Sequence, residues 1–112
     1  MNKLSITVTM AAGQSISNFA DLRNADLKAF RVSAGATGGW VAFIRSESSV
    51  SGYCRGPDNL KLTAAFTAGD WTELLVADLA GVDRLAVQLC ADETAATPAV
   101  QSEAVSITLV AL

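Results

Sequence analysis

Histidine is absent from the chain. That removes Ser-His-Asp and Cys-His nucleophile systems and every histidine-containing zinc site. Cysteine is scarce: Cys54 and Cys90 cannot complete a four-cysteine zinc site, and neither has a CxxC partner. Their spacing favours two free thiols in a reducing compartment over a disulfide. Charge is also low, at 17% of residues against about 25% in an average soluble domain. The balance is acidic, with Lys+Arg 8 and Asp+Glu 11 giving a net charge of −3. Nucleic-acid binding needs basic side chains that release condensed counterions, so no nucleic-acid partner is expected. No run approaches the ~20 apolar residues of a membrane span. The opening residues alternate apolar and polar, unlike the continuous apolar core of a signal peptide, so synthesis and folding in a cytoplasm are expected.

What remains is small and apolar. The sequence has 112 residues, 51% of them hydrophobic and only 6% aromatic. A chain of this length accommodates one domain, residues 1–112. Side chains of this kind form thin, close-packed layers beneath a charge-poor exterior, which suits contact with another protein as well as a Ser/Thr-rich solvent face.

The periodicity is that of strands. Leu4, Ile6 and Val8 alternate with Ser5, Thr7 and Thr9, and Val105, Ile107 and Leu109 alternate with Ser106, Thr108 and Val110. Between them, apolar or alternating runs over 27–32, 40–45, 60–66, 71–76 and 85–89 are separated by turn signals at 34–39, Gly52, 56–59, 68–70 and Gly81. The pattern predicts an all-β fold, an antiparallel β-sandwich of jelly-roll-like or Ig-like type with about seven to eight short strands. The expected core is Leu4, Ile6, Val8, Leu27, Phe30, Val32, Trp40, Phe43, Leu85, Val87, Leu89, Val105, Ile107 and Leu109. Ser17–Leu22 and Leu75–Val82 carry helical spacing and read as possible single turns. Residues 46–52 and 92–98 read as mobile loops at the sandwich ends.

Few groups here do chemistry. Asp70 and Glu73 flank Trp71, but an acidic side chain in an Ala-Gly-Asp turn normally bonds nearby backbone N–H groups. Asp92 and Glu93 supply too few oxygens for calcium. Gly38-Gly39 reads as a hairpin feature, not a phosphate loop. Arg45, Arg55 and Lys61 read as a solvated face or as partners for acids on a neighbouring subunit. No catalytic residue, cofactor or metal site is predicted. Trp71 and Tyr53 lie beside loops, where aromatic rings form contact surfaces or sugar platforms. With Arg55, Thr97 and Pro98 they make the candidate interaction surface.

The residue order resembles small β-sandwich virion proteins of tailed bacteriophages. The first strand runs through Met10-Ala11-Ala12-Gly13-Gln14-Ser15-Ile16-Ser17 to Asp21-Leu22. A Trp-led strand follows at Trp40–Ser48, then Leu79-Ala80-Gly81-Val82-Asp83-Arg84-Leu85, a Thr94–Gln101 loop and the closing Ser106–Val110 strand. Residues 49–68 depart from that pattern. The resemblance implies a head decoration or cement protein on the outer surface of the virion head. Its partners would be the major capsid protein lattice and further copies of itself, a trimer being the expected oligomer, with no membrane partner. A second reading is a carbohydrate-binding or fibre module for host recognition, which requires Trp71 and Tyr53 to be exposed and coplanar.

Overall fold

The two alternating terminal segments pair with each other. In the computed structural model, which describes residues 3–23, 25–47, 50–56, 58–74 and 82–112, β1 (Leu4–Met10) lies antiparallel to β9 (Val105–Ala111). Leu4 stands opposite Ala111 and Met10 opposite Val105. The inward side chains Val8, Met10, Val105, Ile107 and Leu109 are buried, while Leu4 and Ile6 are half-buried at the edge of the same core. Between these strands the chain forms β2 (Ala20–Asp21), β3 (Leu27–Val32), β4 (Trp40–Glu47), β5 (Val50–Tyr53), β6 (Thr63–Ala65), β7 (Trp71–Glu73) and β8 (Arg84–Cys90). No helix occurs among the described residues.

The strands form two antiparallel sheets, one in the order β1-β9-β3-β7 and the other β2-β8-β4-β5, with β6 also paired to β4. The chain changes sheet at every connection except those from β4 to β5 and β5 to β6. Leaving β6 aside, this is the strand order of a jelly roll, which resolves the choice between jelly-roll-like and Ig-like sandwiches. Nine strands occur among the described residues, not seven or eight, because β2 is a two-residue addition that alternation does not reveal and β5 falls in the 46–52 segment read as a loop.

Phe30 on β3 and Phe43 on β4 fill the space between the sheets with Leu22, Leu85, Leu89, Ile107 and Leu109. β8 is buried on both faces. Leu85, Val87 and Leu89 enter the main core, and Ala86, Gln88 and Cys90 on the opposite face are also buried. The second face has its own small cluster of Ala42, Cys90 and Ala95, bordered by Trp40 and Tyr53. Trp40, expected in the main core, therefore sits half-buried on the outer side.

Several sequence expectations are corrected. Ser17–Leu22 is extended along β8: the Ser17 hydroxyl accepts the Val87 N–H (3.0 Å) and donates to the Asn18 carbonyl (2.8 Å), so it caps no helix. Residues 46–52 belong mainly to the β4–β5 hairpin, although 48 and 49 lie outside the described residues. Gly38-Gly39 joins strands of different sheets and is no hairpin. Most of the 75–82 helical expectation, with Gly81 and the end of the 71–76 strand, lies outside the described residues.

Candidate interaction surface

The two outer sheet faces differ in what the chain does with them. On the β2-β8-β4-β5 sheet, the segment after β8 folds back over the outer face. Asp92 clamps that turn by accepting the Thr94 hydroxyl and the backbone N–H groups of Ala96 (3.2 Å) and Thr97 (2.9 Å). These bonds, the Thr94 hydroxyl first, hold the Asp92 carboxyl below the ordinary carboxylate range. Its oxygens serve the loop itself. Ala95 is driven into the face beside Ala42 and Cys90 at a positive φ of 56°, a conformation that strains a residue with a Cβ.

The loop is fastened from the side as well. The Thr63 hydroxyl donates to the Glu93 carbonyl (2.7 Å), and Lys61 Nζ donates to the Ala95 carbonyl (3.1 Å) while lying 4.1 Å from the Tyr53 ring centroid. The Tyr53 hydroxyl donates to Gln88 Oε1 (2.6 Å). Lys61, expected to face solvent or another subunit, is thus engaged within its own chain. Burial raises the pKa of the Cys90 thiol, the Asp92 charge raises it further, and Lys61 opposes the effect. Cys54 lies in the main core and Cys90 in the outer cluster; neither is bridged.

Beside this loop runs a groove of about 670 Å³ lined by Arg55, Asp58, Leu60, Lys61, Thr63, Glu93 and Thr94. Arg55 spans its own turn by donating to the Asn59 carbonyl (2.8 Å), and Asn59 at φ 62° takes the left-handed position of that turn. Leu60 stands exposed at the tip. Of the predicted surface, Tyr53, Arg55, Thr97 and Pro98 therefore belong to this side of the molecule. Thr97 and Pro98 are exposed, and Pro98 bridges to Cys90 at the loop's return.

Trp71 lies elsewhere. It is on β7, the edge of the opposite sheet, paired with Arg31, and is 53% exposed. The coplanar Trp71–Tyr53 platform required by the carbohydrate reading does not form: the two rings belong to different sheets, and Tyr53 is bound at its hydroxyl and covered by Lys61. Asp70 ends the turn after Phe66, its N–H donating to Thr67 (3.0 Å), and Glu73 stands opposite Ala29.

No known protein-family model matches this sequence, and no curated protein matches it. A solved structure shares the fold. The crystal structure of SPBc2 prophage-derived protein YomS aligns at a TM-score of 0.52 and 12% sequence identity, covering 98% of this chain and 92% of that one. The sandwich is therefore common to both chains over nearly their whole length.

Relative to that shared frame, the β1-β9-β3-β7 sheet leaves its outer face without a covering loop among the described residues. Its cross-strand registers align Thr7, Thr108, Arg31 and Trp71 in one row, and Ser5, Val110, Ala29 and Glu73 in the next. Arg31 Nε donates to the Gly69 carbonyl (2.8 Å), which holds the guanidinium beside the turn preceding Trp71. The result is a broad, flat surface of hydroxyl and small apolar groups with one cation and one anion in those two rows. Of this face, only Trp71 stands out in the sequence as a surface residue. The Ser/Thr alternation marked the outward positions, but the rows depend on registers between strands far apart in sequence.

Proposed function

We propose that this chain is a non-catalytic structural component of a bacteriophage particle, a decoration protein that docks on the outer head lattice through the exposed face of its β1-β9-β3-β7 sheet. The observation that carries the reading is the contrast between the two outer faces. One is covered by the Asp92–Thr97 loop and its own small core, while the other presents Thr7, Thr108, Arg31 and Trp71. A face with few charges loses little solvation on docking, and an exposed tryptophan supplies the type of anchor that dominates binding energy. The fold held in common with a prophage-derived protein and the ordered resemblance to phage virion proteins support the particle assignment. Repeated on a lattice, modest contacts hold firmly because each bond raises the effective concentration for the next.

The test is co-sedimentation with emptied, expanded heads of the encoding phage. Binding that raises the head-disruption temperature, and that is lost in Trp71→Ala and Thr108→Lys while Leu60→Ala binds normally, is expected. Failure to bind heads, or loss only with Leu60→Ala, contradicts the reading.

A further inference from the structure

We infer that β1 is a pairing edge for a second copy of this chain. The two copies join antiparallel through Lys3, Ser5 and Thr7 so that their β1-containing sheets become one continuous sheet. The inference rests on the edge itself and holds whatever particle the chain belongs to.

Backbone direction along β1 is fixed by two hydrogen bonds at its far end. The Thr9 N–H is accepted by Asn18 Oδ1 (2.8 Å) and the Thr9 carbonyl accepts the Asn18 N–H (3.2 Å), so Thr9 points away from β9. In an antiparallel ladder the direction alternates, so Ser5 and Thr7 also turn their N–H and C=O outward, while Leu4, Ile6, Val8 and Met10 bond to β9. Ser5 and Thr7 are exposed.

Free edges are normally made short, bulged, charged or covered. The other edge strands follow this rule: β2 has 2 residues, β7 has 3 and β5 has 4. β1 has 7 residues in unbroken register, without proline or a charged residue; Lys3, the one charged residue of the pairing, immediately precedes it. Among the described residues the strand's one protected point is Thr9, where Asn18 takes both backbone groups and ends any pairing.

An antiparallel edge is its own complement. With Ser5 opposite Ser5 of the second copy, Lys3 of each copy meets Thr7 of the other, every outward backbone group of these three residues finds a partner, and no like charges are opposed. This register also stops short of Thr9. The joined sheet would run β7-β3-β9-β1 and continue in reverse through the second copy, doubling the hydroxyl-rich outer face.

The experiment is sedimentation equilibrium of the purified full chain, without phage heads, so its outcome is independent of the particle assignment. A concentration-dependent dimer is expected. Thr7→Pro removes an outward N–H and leaves the β9 ladder intact, and Ser5→Lys places like charges opposite each other; each weakens dimerisation by about tenfold or more. Ser5→Lys retains every backbone donor, so it tests the edge even if the proline variant folds poorly.

Cross-linking through an introduced cysteine reads the register, the native Cys54 and Cys90 being buried. Ser5→Cys forms a disulfide-linked dimer, since opposed residues of a hydrogen-bonded pair lie about 5.5 Å apart at Cα. Thr7→Cys does not, its counterpart being roughly 13 Å away along the strands. A wild-type monomer at the highest soluble concentration overturns the inference. So does a dimer that Ser5→Lys leaves unweakened, or cross-linking at Thr7→Cys equal to that at Ser5→Cys.

Discussion

Phe30 and Phe43 meet edge to face between the two sheets, their ring centroids 6.1 Å apart and their planes at 76°. Both are fully buried, and they tie β3 of one sheet to β4 of the other. Phe43→Ala removes the ring contact and leaves a cavity that close-packed neighbours fill only in part. A loss of about 3–5 kcal/mol is expected. Urea unfolding followed by circular dichroism checks it, with a lowered midpoint and an unchanged slope.

Gln101 is a buried side chain that joins three backbone groups. Its Oε1 accepts the Thr37 N–H (2.9 Å), and its Nε2 donates to the carbonyls of Thr37 (3.1 Å) and Ala99 (2.7 Å). Gln101→Leu keeps the bulk and strands those groups, costing about 1–3 kcal/mol. Faster amide exchange at Thr37 than in the wild type, with exchange in β8 rising less, is the expected signature.

Asp92 gives the outer loop a dependence on acid. Its folded pKa is lower than its unfolded value, so its contribution is fully present above the unfolded pKa and is lost as pH falls through the lower, folded value. The amides of Ala96 and Thr97 should therefore lose protection below about pH 4. In Asp92→Ala the same amides should be unprotected at neutral pH, and Cys90 should react with thiol reagents while Cys54, in the main core, stays unreactive. Equal protection in the variant and the wild type would sink this account of the clamp.

Glycine is required at Gly38 for two reasons and at Gly13 for one. A Cβ at Gly38 would stand 2.7 Å from the Cys90 carbonyl oxygen and 2.9 Å from the Ala99 Cβ, at φ +96°. At Gly13 the space is open and only φ +86° opposes a side chain. Gly13→Ala should cost about 1–2 kcal/mol and Gly38→Ala more, because backbone must also shift. Thermal unfolding of the two variants side by side measures the difference.

The parts of the fold legible in the sequence are those that depend on one strand at a time. Leu4-Ile6-Val8 and Val105-Ile107-Leu109 mark inward positions by alternation, and β-branched residues favour the extended state. β8 was readable as a strand, but the burial of Ala86, Gln88 and Cys90 comes partly from a loop that returns over them. Ser17 has the composition of a helix cap; its actual partner, Val87, is 70 residues away. Trp71 and Tyr53 looked equivalent because both adjoin loops. Only strand order assigns them to different sheets, and only register sets Arg31 beside Trp71.

Oxidative footprinting of the chain bound to phage heads tests the docking face most directly. The account predicts that Trp71 is protected on binding while Leu60 and Tyr53, on the loop-covered side, remain as reactive as in the free chain. Protection of Leu60 and Tyr53 with Trp71 still fully reactive would contradict it.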